Sequence, residues 1–322
     1  MSAGTAIPVR VTKIDNVAND IKRFRLERLD GNPLPTFSAG AHVIVSMRDG
    51  GVLRRNPYSL MSSPHQTAAY EISVLRVVDS RGGSTFMHDR LREGDELVIS
   101  HPVNLFAADQ RGRKHILFAG GIGITPFLAM MAQFDRDNVA FELHYGMRSR
   151  EHGAYWKDLI DRYGAHRIKV YFNSEDQLIP AASIMDHQPL GTHAYVCGPE
   201  RMMDFVLTTA REAGWPKENI HSERFLAAMS GKPFDVELVR SGIMVRVGDH
   251  QSILDAVEAA GIDAPYLCRG GACGQCETLV VGCNGGALSH HDVYLSAAEK
   301  ASGQKVMICV SRFEGAKLSL DL

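Results

Sequence analysis

The chain has 322 residues, 45% of them apolar, with a net charge of −2 and an isoelectric point near 6.7. That length accommodates two or three domains with cores of their own, and the near-neutral charge argues against nucleic acid or an anionic membrane as partner. No apolar run reaches the roughly 18 residues of a membrane span, the first eight residues lack a basic region followed by an apolar core, and six cysteines without an export signal point to a reducing, cytoplasmic setting.

Residues 1–105 read as β-structure. Short runs rich in Val, Ile and Phe lie at 8–14, 21–28, 42–47, 70–78 and 96–100, with Gly and Pro between them. Strands at this spacing suggest a small antiparallel barrel. Two stretches in it stand out. Arg54-Arg-Asn-Pro-Tyr-Ser-Leu60 offers an aromatic (Tyr58), a hydroxyl (Ser59) and a cation (Arg55), which a flavin ring and phosphate require. Taken alone, it reads first as a strand with a surface Arg pair and a half-buried Tyr. Ser80-Arg-Gly-Gly-Ser84 precedes a helix-like 85–91. Successive N–H groups of a Gly-rich turn at a helix start form an anion site, with Arg81 adding charge. An ordinary Gly-Gly turn is the alternative.

From about residue 113 strands and helices alternate. Strands are predicted at 115–119, 140–145, 167–172 and 194–197, and helices at 125–134, 154–163 and 201–213. This is a doubly wound α/β pattern. The first of these strands ends in Ala119-Gly-Gly-Ile-Gly-Ile-Thr-Pro126. Glycines there let a pyrophosphate approach the backbone, and Pro126 suits the first helical position. Pro126 also breaks the G-x-G-x-x-G fingerprint, where its last Gly belongs. Arg148 follows the second strand, as an adenosine contact or a solvated Arg. Glu175 and Asp176 follow the third; carboxylates there favour NADH over NADPH, while Arg148 and Arg150 pull the other way. Cys197-Gly-Pro199 ends the last strand, and Cys197 reads as a cleft residue or a small buried hydrophobe.

Residues 226–234 read as a linker, with Phe225 just before it. A hairpin at 235–240 and 243–247 follows, then a helix at 252–260 with Ser252 as cap and Gly261 as stop. Residues 268–276 are Cys-Arg-Gly-Gly-Ala-Cys-Gly-Gln-Cys, a C-x4-C-x2-C spacing, and Cys309 comes later. That is the plant-type [2Fe–2S] pattern, three thiolates on one loop and a fourth from a distant strand. Gly residues let the loop turn its N–H groups toward the sulfurs. Local disulfides, a four-thiolate zinc site and unrelated buried thiols are the alternatives; only one close Cys pair exists, against the two knuckles usual for zinc. Cys283 reads as a spare thiol and His290-His-Asp292 as a solvated loop.

Taken in order, these motifs resemble the class IA, phthalate dioxygenase reductase-type flavoproteins, the reductase components of Rieske non-haem iron oxygenases. The carnitine monooxygenase and vanillate demethylase reductases are similar. The resemblance covers the whole chain and implies an FMN-binding antiparallel β-barrel over 1–108, an α/β doubly wound nicotinamide domain over 109–225, a linker over 226–234 and an α+β plant-type ferredoxin domain over 235–322. It implies flavin contacts from Arg55, Asn56, Tyr58 and Ser59, where Asn56 stands at the usual Arg position. It adds Val74, Leu75 and Arg76 on a strand and the turn Arg81, Gly82, Gly83 and Ser84. The nicotinamide set is Gly120, Gly121, Gly123, Thr125, Pro126, Arg148, Cys197, Gly198 and Pro199, with Phe225 covering the flavin. Cys268, Cys273, Cys276 and Cys309 would hold the cluster, tuned by Arg269. The 32 residues between the last two exceed the usual interval, and Gly282–Gly286 is the expected loop insertion.

The implied activity moves hydride from NADH to FMN, then single electrons through the [2Fe–2S] cluster to a Rieske-type oxygenase. A monomer is expected. A flavin or ferredoxin reductase with small acceptors, and a non-catalytic protein with a zinc-stabilised C-terminal module, are the alternatives.

Overall fold

The computed structural model describes residues 6–77, 82–226 and 230–322. Arg81 therefore lies outside the described residues. The N-terminal unit is a seven-stranded antiparallel sheet of β1 (Ala6–Ala18), β2 (Ile21–Arg28), β3 (Ala41–Asp49), β4 (Val52–Ser59), β5 (Tyr70–Leu75), β6 (Glu96–Ser100) and β7 (Val103–Asn104). The order is β4-β3-β6-β1-β2-β5, with β7 against β3, and the end strands β4 and β5 come back into contact. Alternation drives the closure: Ile7, Val9 and Val11 of β1 point inward and their neighbours outward. Strand β4 carries no apolar alternation, yet pairs with β3 along its whole length. It stands at the end of the sheet order, where Pro57 removes no ladder hydrogen bond. The helix expected at 85–91 is instead one α-turn, α1 (Gly83–Thr85), running into a π-turn, Phe86–Arg90.

Five parallel strands form the middle unit: β8 (Lys114–Gly120), β9 (Ala140–Met147), β10 (Ile168–Phe172), β11 (Thr192–Cys197) and β12 (Ile220–Glu223). Their order, β10-β9-β8-β11-β12, is doubly wound. Helices α2 (Thr125–Arg136) and α3 (Trp156–Tyr163) cover one face; α4 (Ala181–Met185) and α5 (Glu200–Glu212) cover the other. Met203, Val206 and Ala210 make the buried stripe of α5. The short, polar β12 and the five-residue α4 carry too little periodicity to be foreseen. Ala39 and Phe106 of the barrel enter the α2 core, so the first two units share packing.

The C-terminal unit joins β13 (Phe234–Leu238), β14 (Ile243–Val247), β15 (Glu277–Asn284), β17 (Lys305–Met307) and β19 (Lys317–Leu320) in the order β14-β13-β19-β15-β17. A second ribbon pairs β16 (Ala287–Ser289) with β18 (Arg312–Glu314). Helix α6 (Ile253–Ala259) starts on a full capping box between Ser252 and Asp255, and α7 (Ala297–Ser302) lies near β17.

Three expectations are corrected here. Gly282, Cys283 and Asn284 are strand, paired with β19, so the extra residues lengthen β15 before the Gly285-Gly286 turn. Asp292 is buried, as is most of the His290 side chain, because Asp292 accepts from Leu295 N–H and lies 3.5 Å from Lys300 Nζ. The expected linker is half absorbed: Phe234 opens β13, and the Arg312 guanidinium donates to the carbonyls of Gly231 and Lys232.

Candidate functional site

The four motif cysteines meet as two pairs. Cys268, Cys273 and Cys276 lie on the α6–β15 loop, and Cys309 lies in the turn after β17, not in the strand itself. Cys268, Cys276 and Cys309 are buried and Cys273 half-buried. A hydrogen bond from Cys273 is the main cause that brings the Cys268 thiol down to about 5 against its burial, helped by the N–H groups of Gly270, Ala272 and Cys273. The same contact raises Cys273. Cys309 and Cys276 repeat the arrangement, with Cys276 lowered and Cys309 raised. Among the described residues no three His, Cys, Asp or Glu side chains converge on one ion. Thiols in two pairs with loop N–H groups aimed at sulfur fit a two-iron cluster better than a single zinc.

The loop's backbone follows from that wrapping. Gly271 and Gly274 have φ of 69° and 77°, and a Cβ on Gly274 would strike the Tyr294 ring. Arg269 takes φ 52° beside Cys268, with its side chain buried against Asp255 at 3.1 Å, against Glu258, and over the Tyr266 ring at 4.0 Å. Burial opposes its charge, and the two carboxylates more than restore it, Glu258 first.

On β4 the pleat separates the two arginines. Arg54, Asn56 and Tyr58 share one face, and Arg55, Pro57 and Ser59 the other. A Cβ on Gly82 would lie 2.9 Å from Arg54 Nε, and one on Gly83 2.3 Å from Asn56 Nδ2. Arg54, not Arg55, is thus the β4 cation beside the Gly82-Gly83 turn. Arg55 reaches the other way and pairs with Glu258 of α6 at 2.6 Å. The Tyr58 hydroxyl accepts from Asn56 Nδ2 at 3.3 Å, and burial pushes its pKa up to about 12. Ser59 is buried. Near the turn, the Ser84 hydroxyl bonds the Val77 backbone, and Arg76, after Val74 and Leu75 of β5, pairs with Asp89 at 2.9 Å.

The nicotinamide loop packs through its glycines. A Cβ on Gly120 would sit 2.5 Å from Pro199 Cδ, one on Gly123 2.3 Å from the Cys197 carbonyl, and one on Gly198 2.8 Å from Gly120 Cα. These three serve the contact between the β8 and β11 ends. Gly121, at φ 52°, faces open space and is the one that leaves room for a ligand. Thr125 is buried with its hydroxyl on the Ile122 carbonyl at 3.0 Å, and Pro126 follows in the first turn of α2. Arg148 is exposed after β9, while Arg150 holds Glu175 at 2.6 Å and lies over Phe172.

Glu223 is a residue that motif reading misses. It pairs in register with Cys197 across β11 and β12. Its Oε2 is buried without a hydrogen-bond partner among the described residues, and burial pushes its pKa up to about 8. Burial, with the Glu223 carboxylate, also raises the Cys197 thiol. Two residues on, the Phe225 ring is 48% exposed. A buried orphan acid and an exposed aromatic at one strand end suit a flat ring that covers both. The only sequence signal was a carboxylate two positions before that aromatic.

Residues 98–220 match the family described as dimethylamine monooxygenase subunit DmmA-like, N-terminal domain. Residues 236–314 match the 2Fe-2S iron-sulfur cluster binding domain. The chain is 43% identical to the carnitine monooxygenase reductase subunit of Acinetobacter baumannii, over 98% of each. It is 42% identical, over 99% of each, to the heme-dependent oxidative N-demethylase beta subunit of Ectopseudomonas mendocina. A solved phthalate dioxygenase reductase, described as a modular structure for electron transfer from pyridine nucleotides to [2Fe–2S], aligns over 98% of both chains at TM-score 0.89 and 34% identity.

Proposed function

The chain belongs to the oxygenase reductases of the phthalate dioxygenase reductase type, and from that premise we propose that it takes hydride from NADH onto FMN and passes single electrons through a [2Fe–2S] cluster to a Rieske-type oxygenase. The coarser activity, nicotinamide-driven flavin and iron–sulfur electron transfer to an oxygenase, is that of its family. The observation that carries the reading is the paired set of four thiols, three buried and one half-buried, on the same chain as a flavin-type barrel and a doubly wound sheet.

Bound flavin supplies the exchange between two-electron and one-electron chemistry that neither nicotinamide nor cluster performs. The protein's part is position and charge. In this reading Arg54 and the Gly82–Ser84 turn take the FMN phosphate, and Tyr58 with the Ser59 backbone lines its ring edge. Phe225 would cover the ring face. Cys197 and neutral Glu223 line the floor where nicotinamide and flavin meet. NADH over NADPH rests on Glu175 and Asp176 after β10, where a carboxylate binds a ribose 2′-hydroxyl and repels a 2′-phosphate. Arg150 already offsets part of that repulsion at Glu175. A cytoplasmic monomer completes the reading; six cysteines with no disulfide among them support the reducing compartment.

A second reading differs only in the acceptor. One relative at 42% identity is a subunit of a heme-dependent N-demethylase, so a haem oxygenase is the competing partner. The test is anaerobic addition of NADH to the purified protein. Flavin bleaching followed by the electron-spin signal of a reduced [2Fe–2S] cluster is expected; a colourless protein carrying zinc overturns the proposal. Reduction of a Rieske oxygenase but not of a haem demethylase then separates the two acceptors.

A further inference from the structure

Arg55 stands on β4, on the face opposite Arg54, Asn56 and Tyr58. Its Nη1 meets Glu258 Oε2 at 2.6 Å, joining positions 203 residues apart. Glu258 lies on α6 of the C-terminal unit, and its other oxygen accepts from Arg269 Nη2. Arg269 follows Cys268 directly. One carboxylate is therefore shared by a cation of the barrel strand and a cation of the cluster loop. Around it lies a cleft of about 590 Å³ walled by Arg48 and Arg54 on the barrel side and by His250, Gln251 and Asp255 on the other. The walls carry opposite charge, and the bridging pair is mostly out of solvent, with side chains 25% and 16% exposed.

We propose that Arg55–Glu258–Arg269 is a positioning latch that seats the cluster loop against the flavin strand and so sets the rate of electron transfer between them. The inference rests on the electron-transfer reading above. In the step concerned, one electron leaves the reduced flavin and one enters the cluster; no bond forms or breaks. The rate depends on how often the two units are seated, and removing Arg55 from this partly desolvated pair leaves a Glu258 oxygen without its cation, which disfavours the seated state. Because Arg269 holds the inner side of Glu258, the carboxylate is preset in direction before Arg55 arrives. Arg55 acts through Glu258 and is a positioning residue, distinct from the flavin-phosphate cation that the motif suggested.

The experiment uses the full chain carrying flavin and cluster, with Arg55→Gln and Arg55→Lys. Flavin content, NADH-driven flavin bleaching and the cluster's electron-spin signal are expected to match the parent in both. In Arg55→Gln the subsequent reduction of the cluster slows about tenfold, equivalent to about 1.4 kcal/mol of seating, and Arg55→Lys recovers most of it. Amides of 48–56 and 250–259, the two walls of the cleft, exchange hydrogen faster in Arg55→Gln. An unchanged rate with unchanged exchange on both walls overturns the latch. Loss of flavin from Arg55→Gln also overturns it, by making Arg55 a flavin ligand. Failure of NADH to bleach flavin in the parent protein is a failure of the electron-transfer reading instead.

Discussion

Burial gives Glu223 and His115 opposite effects on folding. Glu223 has its pKa pushed up to about 8 by burial, so between about 4.5 and 8 the folded chain holds a proton that the unfolded chain releases. Its contribution is full below that window and is lost as pH rises through it. Glu223→Gln is expected to shrink the loss of denaturation free energy between about pH 5 and 9 by roughly 3 to 5 kcal/mol. His115 is the reverse case. Burial, then the neighbouring His193 and His221, lower it to about 4. A histidine lowered on folding stabilises fully above about 6.5, and that stability drains away as pH falls toward 4. His115→Phe preserves the ring stacking on Phe134 at 4.1 Å, and it is expected to flatten the acid limb by roughly 3 kcal/mol. Equal acid slopes for parent and variant defeat the assignment. Neither side chain belongs to a motif, so sequence reading had no handle on either.

Strand β4 decides which arginine does what. Arg54 and Arg55 are adjacent in sequence, and the flavin motif does not tell them apart because Asn56 occupies its Arg position. Alternation along a strand sends them to opposite faces, and that assignment needs the β3–β4 register. Arg54→Gln is expected to weaken flavin binding at least about tenfold, the scale of one lost charge-assisted bond, whereas Arg55→Gln retains flavin. Equilibrium dialysis with FMN measures both; similar losses in the two variants contradict the face assignment. The cluster loop is the contrasting element. Its Cys spacing alone singles out the four proposed thiolates, the number that two irons of this type need.

Across the whole molecule, packing divides the units unevenly. Among the described residues the core of the C-terminal unit shares no member with the other cores, while barrel residues Ala39 and Phe106 lie inside the core of the middle unit. Ending the chain after Leu226 is expected to leave a folded protein whose flavin NADH still reduces, with one-electron transfer to a partner abolished. Circular dichroism and anaerobic NADH titration check both halves; loss of flavin reduction in a folded fragment contradicts the modular scheme. The barrel and middle unit, by contrast, are not expected to survive separation, because removing either exposes a packed face.

By itself the sequence determined the three-unit order and the period of each unit, and it singled out the four cysteines proposed for the cluster, since residue spacing and hydrophobic period act along the chain. Only the tertiary structure placed Arg54 at the Gly82-Gly83 turn, Glu223 beside Cys197, and Glu258 between Arg55 and Arg269. Those assignments depend on which face of a strand meets which neighbour, and on partners as far as 203 residues away. Local pattern carries no record of such contacts.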